Sequence, residues 1–454
     1  MAVEMARQDD RPGAALRIVM LGPFGLRPKG TMLRRALPMA RALAARGHRV
    51  TLIMPPWHGP AEAGRAWDDR VPGVRLEYVA LAGLGLPGLG HAVVAARMAR
   101  RALALEPDLV HAFKPKAYAG LAAWLLRWAR RLPGAARPAL VIDTDDWEGP
   151  GGWNDLEPYS AVQRRVFAWQ ERAGLSRHAD AVTVASRSLE SLVWAMGVTP
   201  ERLAYLPNAV DDAPGMAGAA EGGAGSVDGP AGHGAALGLE AAPDPGATRP
   251  FTLLLYTRFF EFELVRPLAL LERLRERQPA ARLLVGGKGL FGEERRFMAL
   301  AREMGLAEAV EDAGWVPPEA LAALLARADL AIYPFDDTLV NRTKSAFKLL
   351  ELMAAGLPVV AEDVGQNREL IEDRRSGRLV PPGDLDAFAA ALAELAEDPV
   401  LRAALGEGAR ERVRKRFCWS RQVLALEALY ADAVARAGGG GERRRGGGRR
   451  AIDG

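Results

Sequence analysis

Short apolar runs alternate with amphipathic segments of helical length along two stretches of this sequence, and about forty residues without that pattern separate the two stretches. The first stretch contains the apolar runs LRIVML (16–21) and RVTLIM (49–54), with helical spacing between them. The alternation restarts at FTLLLY (251–256) and continues to LPVVAE (357–362). Such alternation is typical of parallel sheets covered by helices on both faces. The sequence therefore predicts an α/β fold with two doubly wound, Rossmann-like domains.

The predicted domain boundaries follow from the interruption. We expect a first domain over 14–210, a linker or disordered insertion over 211–250, and a second domain over 251–414. The interruption is rich in Gly, Ala, Pro and Asp and has no hydrophobic period, so it cannot fill a compact domain. A last amphipathic helix, 415–436, is predicted to complete the first domain, and the Gly/Arg tail over 437–454 is predicted to be disordered.

Composition and charge exclude several classes of protein. The 454 residues are 49% hydrophobic and 26% charged, as in a globular chain, and no apolar run approaches the ~20 residues of a membrane span. The single cysteine, Cys418, excludes an internal disulfide and a cysteine metal cluster. The net charge of +4 equals that of the Arg-rich segment 436–454, so we expect no nucleic-acid partner. The first residues lack a secretory signal, and we expect a cytoplasmic location.

Two lysines and an acid are regularly spaced in NRTKSAFKLLELMAAGLPVV (341–360). If a helix begins near Lys344, then Lys344, Lys348 and Glu351 share one stripe of it, opposite an apolar face. The unpaired amides at such a helix start, beside Ser345, would form an anion site that the two lysines strengthen. An ordinary solvated face with a Lys348–Glu351 ion pair is the alternative interpretation.

This region resembles the retaining glycosyltransferase family 4, the glycosyl transferases group 1, whose GT-B fold has two Rossmann-like domains. The resemblance rests on a combination of motifs: YLPNAVD (205–211), YTRFFEF (256–262), LLVGGKGLFGEE (283–294), VEDAGWVPPEALAALLARADLAIYPF (310–335) and ELMAAGLPVVAEDVGQNRELI (351–371). It implies transfer of a sugar from a nucleotide-sugar donor to a glycan, lipid-linked or small-molecule acceptor, with retention of anomeric configuration, as in cell-envelope polysaccharide biosynthesis. No metal and no other cofactor is expected.

The resemblance assigns roles to individual residues. The catalytic candidates are Arg258, Lys348 and His111, and we expect His111 to end a first-domain strand at the carboxyl edge of its sheet. The donor-binding candidates are Gly287, Lys288, Lys344, Ser345, Glu351 and Glu369. In the first domain, GPFGLRPKGTMLRRA (22–36) follows a strand, and Lys29, Gly30 and Thr31 open a helix, so Gly30 is an acceptor-binding candidate. Purely structural roles are the alternative for His111 and for the glycines.

Two positions depart from the family pattern. Thr343 stands where the first acid of the family's Glu-x7-Glu pair is expected, eight residues before Glu351. The lysine that usually follows the strand arginine, here Arg258, is also missing, and Arg266 is the nearest cation along the chain. We expect Lys288, Lys344 or Lys348 to supply the missing charge.

Four acids follow a predicted strand in VIDTDDWEG (141–149). An Asp-x-Asp pair at a strand end could hold a divalent metal or bind sugar hydroxyls. Octahedral metal binding needs more oxygens than one short segment supplies, and cations of the second domain are available to neutralise a diphosphate. We therefore expect Asp146 to bind acceptor hydroxyls and Trp147 to cover a sugar face. An outer-face role for Asp143 and a capping role for Asp145 are the structural alternatives.

Other functions remain open at this point. A non-catalytic nucleotide-sugar-binding protein could use the same scaffold, and so could another GT-B enzyme such as a phosphorylase or a nucleotide-sugar epimerase. The helix predicted over 117–131, AYAGLAAWLLRWARR, pairs apolar with basic residues. That pattern fits a peripheral contact with the inner face of a membrane, and it fits equally a core-facing helix with a basic outer face.

Overall fold

The chain forms two compact units, each described by itself below. One unit runs to Pro207 and resumes at Trp419, and the other is Asn208–Cys418. The structure, a computed structural model, describes residues 14–27, 30–82, 89–134, 136–211 and 249–445, with side chains to residue 438. Lys29 and most of the predicted linker (212–248) therefore lie outside the described residues.

The first unit is built on a sheet of eight strands: β1 (Arg17–Leu21), β2 (Arg49–Met54), β3 (Ala66–Val71), β4 (Val74–Tyr78), β5 (Leu109–Phe113), β6 (Ala139–Thr144), β7 (Ala181–Val184) and β8 (Leu203–Tyr205). Their order across the sheet is β3-β4-β2-β1-β5-β6-β7-β8. All pairs are parallel except β3 with β4. Every residue of β5 and of β6 is buried, as expected for central strands covered on both faces.

The helices of the first unit alternate with these strands: α1 (Leu37–Ala45), α2 (Leu89–Ala104), α3 (Ala117–Ala129), α4 (Trp153–Leu156), α5 (Ala161–Ala173) and α6 (Arg187–Ala195). Local sequence explains several of their ends. Ser160 and Gln163 form a capping box at the start of α5. Gly47, with a left-handed φ of 94°, follows the end of α1, where a side chain would be strained.

The second unit contains six parallel strands: β9 (Thr252–Thr257), β10 (Arg282–Gly287), β11 (Val310–Asp312), β12 (Leu330–Tyr333), β13 (Val359–Glu362) and β14 (Arg378–Val380). Their order is β11-β10-β9-β12-β13-β14. The helices are α7 (Val265–Arg277), α8 (Glu293–Glu303), α9 (Leu321–Ala326), α10 (Leu339–Thr343), α11 (Phe347–Ala354), α12 (Asn367–Leu370), α13 (Leu385–Glu397) and α14 (Pro399–Arg416).

Successive residues of β9 enter different cores of the second unit. Leu253 and Leu255 belong to a cluster with Leu271 and Phe297 of α7 and α8. Leu254 and Tyr256 belong to a second cluster with residues of α9, α11 and α14. Side chains alternate between the two faces of a strand, so the two clusters lie on opposite faces of this sheet. The prediction of doubly wound α/β domains is confirmed.

Two local predictions differ from the structure. The helix expected to begin near Lys344 begins only at Phe347, because Lys344 has extended backbone angles after α10 ends. The chain's last helix, α15 (Trp419–Arg445), belongs to the first unit and continues beyond residue 437, where a disordered tail was predicted. Residues 446–454 of that tail lie outside the described residues. Along the helices that the structure describes, none combines the length and the apolar character needed to cross a bilayer.

Candidate active site

A buried acid, Glu261, holds the turn that follows β9. Glu261 is 2% exposed, and its Oε2 accepts hydrogen bonds from the Thr257 hydroxyl at 3.1 Å and from the Arg258 amide at 3.3 Å. Phe259, in the same turn, has a left-handed φ of 68°, a strained conformation that surrounding contacts must maintain. The turn therefore fixes the backbone at Arg258, whose side chain is exposed.

Lys344 neutralises this buried acid. Its ammonium forms an ion pair with Glu261 Oε1 and lies 4.6 Å from the Phe260 ring centre and 5.2 Å from that of Phe335. Burial alone raises the pKa of Glu261, but the charge and hydrogen bond of Lys344, with the charges of Lys348 and Arg258, together outweigh burial, and the pKa lies below its usual value. Lys344 is itself buried. It therefore stabilises the turn that presents Arg258.

Lys348 approaches the end of β9 from α11. Its ammonium donates to the Thr257 carbonyl at 3.2 Å and lies 3.5 Å from the Tyr256 ring centre. The sequence predicted Lys344 and Lys348 on one helical stripe. Because Lys344 precedes the helix, the two lysines instead reach the turn after β9 from separate elements.

Gly287 and Lys288 lie beside Arg258 at the carboxyl edge of the second sheet. The β9–β10 register pairs Thr257 with Gly287, so Arg258 and Lys288 leave adjacent strands at the same level, and both side chains are exposed. Gly287 has a φ of 139°, and a Cβ there would stand 1.9 Å from the Thr257 carbonyl oxygen. Only glycine fits at this position, which leaves bare backbone beside two exposed cations.

Ser345, Glu351 and Glu369, the other predicted donor-binding residues, lie on three different elements. The Ser345 hydroxyl is 3.5 Å from Gln366 Oε1, which also accepts from the Ala346 amide at 2.6 Å. That amide at the start of α11, predicted to bind an anion, is thus used within the unit. Glu351 is half-buried on α11, and Glu369 is half-buried on α12.

Arg266, the cation nearest to Arg258 along the chain, forms ion pairs with acids of neighbouring segments. It pairs with Glu362 at 2.9 Å and with Asp336 at 2.6 Å. Glu362, 1% exposed at the end of β13, also accepts from the Phe335 amide at 2.6 Å, and burial raises its pKa. The sequence analysis missed Glu362, although an acid ending the apolar run LPVVAE was the available signal.

Thr343 occupies the position where an acid was expected. Thr343 is 1% exposed, and its hydroxyl donates to the Leu339 carbonyl at 2.7 Å within α10. This hydroxyl therefore bonds to its own helix, a common arrangement for threonine.

In the first unit, the acids of VIDTDDWEG surround a lysine. The Lys114 ammonium lies 2.7 Å from Asp146 and 3.1 Å from Asp145. Asp145 Oδ2 accepts from the Thr31 hydroxyl at 3.1 Å, next to Gly30. Burial raises the pKa of Asp145 to about 6, although Lys114 opposes that shift. The structure thus joins the predicted acceptor residues Gly30 and Asp146 through Thr31, Asp145 and Lys114.

A second lysine and two glutamates extend this cluster. Glu148 lies 2.7 Å from the Lys116 ammonium, and its amide donates at 3.1 Å to each oxygen of Glu171, which is fully buried. Burial, and then the charge of Glu148, raise the pKa of Glu171 well above its usual value. The sequence analysis assigned no role to Lys114, Lys116 or Glu171. The scarcity of lysine, seven in the whole chain, was the available signal.

Trp147 folds back on its own turn. Its indole N–H donates to the Pro150 carbonyl at 2.9 Å. A Cβ at Gly149 would come within 2.2 Å of the indole ring, and one at Gly152 within 2.7 Å of it. The ring also packs against the core of the unit. Trp147 therefore packs within this turn and is half-buried, and its contact with a sugar face stays a prediction.

His111 lies in the middle of β5 and not at its carboxyl end. It is fully buried; its Nδ1 lies 2.7 Å from the Tyr430 hydroxyl of α15 and its Nε2 lies 3.2 Å from the Thr183 hydroxyl. Thr183 donates its proton to Asp143 at 2.6 Å, so Nε2–H donates to Thr183 and Nδ1 accepts from Tyr430. Burial lowers the pKa of His111 to about 4. This placement corrects the prediction that His111 faces a ligand.

Asp143 is buried as well, where an outer-face role was the alternative. Its carboxylate binds Arg35 at 2.6 and 2.8 Å in a bidentate pair, and both side chains are almost completely buried. Burial raises the pKa of Asp143, but the charge and hydrogen bonds of Arg35, with smaller contributions from His111 and Thr183, together outweigh burial, and the pKa is lowered. Across the described ranges of the chain, no three or more His, Cys, Asp or Glu side chains are grouped to hold a metal ion.

Two family models match the chain. The model described as Glycosyl transferase 4-like domain matches residues 30–209, and the model described as Glycosyl transferases group 1 matches residues 266–398. The first match lies almost entirely within the first unit, and the second lies within the second unit.

Curated relatives match over part of their length. The D-inositol 3-phosphate glycosyltransferase of Saccharomonospora viridis is 35% identical over 158 residues, which are 34% of this chain and 35% of that protein. The MMP alpha-(1->4)-mannosyltransferase of Mycolicibacterium hassiacum is 34% identical over 140 residues, 30% of this chain and 32% of that protein. The chain thus spans about a third of the length of these relatives.

Solved structures resemble the chain over most of its length. The sucrose-phosphate synthase from Thermosynechococcus elongatus has a TM-score of 0.64 at 20% identity, covering 92% of this chain and 100% of that one. Anabaena HepE, solved in complex with UDP and glucose, has a TM-score of 0.61 at 18% identity, covering 89% and 97%. At such identities the likeness shows the fold. Together with the two family models, it shows that the chain belongs to the glycosyl transferases of group 1 and has the GT-B fold.

Proposed function

We propose that the chain is a retaining glycosyltransferase that moves a hexose from a nucleotide-sugar donor to a glycan, lipid-linked or small-molecule acceptor. The observation that carries this proposal is the pair of exposed cations, Arg258 and Lys288, beside the bare backbone of Gly287. Family membership supports the reaction class. The relatives named for glycosyl and mannosyl transfer, and the complex of Anabaena HepE with UDP-glucose, support the choice of donor.

The proposed chemistry is stabilisation of the departing nucleoside diphosphate. As the glycosidic bond breaks, negative charge grows on the diphosphate, and preorganised cations stabilise that charge most effectively. The Arg258 guanidinium can donate two parallel hydrogen bonds to phosphate oxygens, and Lys288 supplies a second charge. Lys348 is fixed by the Thr257 carbonyl at 3.2 Å, so it completes the positive field from α11. We assign no protein nucleophile.

Recognition of the transferred sugar is proposed to differ from the family pattern. Thr343 has no carboxylate to accept hydrogen bonds from sugar hydroxyls. Its own hydroxyl is bonded within α10. Glu351 and Glu369 remain the proposed donor-binding acids, and Ser345 is proposed to contact the donor through its hydroxyl.

The proposed acceptor site is the Asp146 carboxylate, with the backbone at Gly30. Lys114 holds one Asp146 oxygen at 2.7 Å, which orients the carboxylate, and we propose that the other oxygen accepts hydrogen bonds from acceptor hydroxyls. The ammonium of Lys114 also occupies the centre of the acidic cluster, where it supplies the charge that a cation would otherwise bring. We therefore propose transfer without a metal, with full activity in EDTA. We further propose a cytoplasmic enzyme that a lipid-linked acceptor brings to the inner face of the membrane.

A ligand screen with variants tests the donor site. Thermal shift against UDP, GDP, ADP and TDP sugars should identify one nucleotide that stabilises the protein. Replacing Arg258 or Lys288 by Ala should weaken the binding of that nucleotide about 10- to 100-fold, since each substitution removes a charged hydrogen bond. Arg302→Ala, an exposed arginine of α8, is the matched control and should leave affinity unchanged. If no nucleotide binds, the proposal fails.

Product analysis separates the enzyme from the alternatives. NMR of the product should show the anomeric configuration of the donor, and an inverted product would refute retention. Nucleotide-sugar binding without hydrolysis or transfer would favour the non-catalytic binding protein instead.

A further inference from the structure

Apolar side chains face solvent at the end of α3. Trp128 is 49% exposed, and Leu132, four residues later, is 61% exposed. Trp124, one turn earlier and half-buried, meets Trp128 edge to face at 6.1 Å between ring centres. Side chains four residues apart lie on one face of a helix, so Trp124 and Trp128 form one line on α3, and Leu132 lies in the turn that follows the helix. Apolar groups that cluster at the surface mark binding sites more often than isolated ones do.

Arginines surround this line. The surface, called here the α3 surface, consists of Trp124, Trp128 and Leu132 with Arg127, Arg130, Arg131 and Arg177. Arg177 comes from the π-helical turn Gly174–His178, which packs against α3. The acid beside them, Asp180, is paired with Arg130 at 2.6 Å. The sequence from 109 to 142 contains six basic residues and no acid.

The pKa values of two nearby groups, His178 and Arg127, are lowered by burial and by the same excess of positive charge. Burial lowers the pKa of His178, and the charges of Arg127, Arg177 and Arg131 lower it further. Burial also lowers the pKa of Arg127, and Arg130 adds to the shift. Positive groups that repel one another are stabilised when a polyanion approaches.

We infer that the α3 surface binds the anionic headgroups of a phospholipid bilayer. Arginines pair with lipid phosphates, while tryptophan and leucine enter the interfacial layer. A nucleic acid suits the surface less well. The Arg131 guanidinium lies 3.9 Å from the centre of the Trp128 ring and covers one face of it, whereas bases need open aromatic faces for stacking. The inference names a surface and a partner beyond the proposed reaction, and its chemistry does not depend on that reaction.

Sedimentation of the full chain with vesicles tests the inference. Vesicles of equal parts phosphatidylglycerol and phosphatidylcholine should bind the protein, and pure phosphatidylcholine should bind it far less. Each basic residue near an anionic surface contributes about fivefold in affinity. The double variant Arg131→Gln/Arg177→Gln, which removes two exposed arginines of this surface, should therefore bind about 25-fold more weakly. Trp128→Ser should weaken binding even at high salt, where electrostatic attraction is screened.

Matched controls keep this test specific. Arg296→Gln/Arg302→Gln removes two exposed arginines of α8, and Trp194→Ser removes an exposed tryptophan of α6; both should bind vesicles like the unaltered chain. Nucleotide-sugar binding should be the same in all five proteins, which separates a failure of this inference from a failure of the proposed function. Equal vesicle binding by all variants, or binding to RNA without binding to vesicles, would overturn the inference.

Discussion

A substitution at Gly287 tests the donor site by changing its backbone geometry and not one of its charged side chains. A methyl group there would meet the Thr257 carbonyl oxygen at 1.9 Å, and the φ of 139° disfavours any side chain. We expect Gly287→Ala to destabilise the second unit by about 2–3 kcal/mol and to weaken nucleotide binding by moving Arg258 and Lys288 apart. Thermal unfolding and nucleotide titration measure the two effects.

Gly305→Ala is the matched control for Gly287→Ala. Gly305 also has a left-handed φ, 70°, but no atom lies within 4 Å of a Cβ built there. The cost should be the conformational one of about 1 kcal/mol, with unchanged nucleotide affinity. Equal effects of the two substitutions would mean that the close approach to Thr257 is not what selects glycine at 287.

Buried His111 predicts a pH dependence of stability. Its pKa in the folded protein is about 4, whereas the pKa of a histidine in an unfolded chain is about 6.5. Between these values the unfolded chain binds the extra proton, so His111 favours folding above about pH 6.5 and loses that contribution as pH falls toward 4. The loss is on the order of 3 kcal/mol. Melting temperatures of the unaltered chain and of His111→Asn, compared from about pH 7.5 to 4.5, separate the contribution of His111 from that of Asp145, which is present in both proteins.

The sign of that comparison is specific. Asp145, whose folded pKa is raised to about 6, acts in the opposite direction, but it does so in both proteins. The stability advantage of the unaltered chain over His111→Asn should therefore shrink as pH falls. A constant advantage across the range would mean that His111 binds its proton equally in the folded and unfolded chains, so that burial does not lower its pKa.

Among the elements, the interruption between α10 and α11 depends on Gln366. Its Oε1 accepts from the Ala346 amide at 2.6 Å, and its side chain is buried. Gln366→Met keeps the volume but removes the acceptor, which leaves a buried amide unpaired at a cost of roughly 1–3 kcal/mol. We expect a lower melting temperature and weaker nucleotide binding, because Lys344 and Lys348 flank this segment. Gln278→Met, half-buried at the end of α7, should change neither.

The same segment shows what sequence patterns can and cannot predict. Apolar runs end where their strands end: FTLLLY predicted 251–256, and β9 is Thr252–Thr257. Because parallel strands end at one edge, the sequence could also place Arg258 and Lys288 together. The helical pattern continues through Lys344, however, and the structure interrupts the helix where the Ala346 amide donates to the side-chain oxygen of Gln366, twenty residues away. A contact of that range leaves no local signal in the sequence.

Side-chain partners from distant elements were equally hidden. Lys114 follows β5, and its acids follow β6, about thirty residues later. His111 was expected to face a ligand because the family resemblance places a histidine at the carboxyl end of this strand. Its partners, Thr183 and Tyr430, are about 70 and 320 residues away. The sequence could locate the sheet edges, but the burial of each polar residue depended on these distant partners.

At the scale of the whole molecule, the chain closes its first unit with its last helix. Glu427 of α15 lies 2.6 Å from Arg46 Nε and 2.9 Å from His48 Nε2. Each unit has its own sheet and its own core, so we expect two calorimetric transitions. Glu427→Ala should lower only the transition of the first unit, by the roughly 1–2 kcal/mol of a lost partly buried charged hydrogen bond.

Nucleotide should act on the other transition, because the proposed donor residues belong to the second unit. A nucleoside diphosphate at about 100 times its Kd should stabilise that unit by about 2.7 kcal/mol, in the unaltered chain and in Glu427→Ala alike. Scanning calorimetry with and without nucleotide therefore assigns each transition to a unit. If nucleotide raised the transition that Glu427→Ala lowers, the donor site could not lie in Asn208–Cys418 alone, and the roles of Arg258 and Lys288 would have to be reassigned.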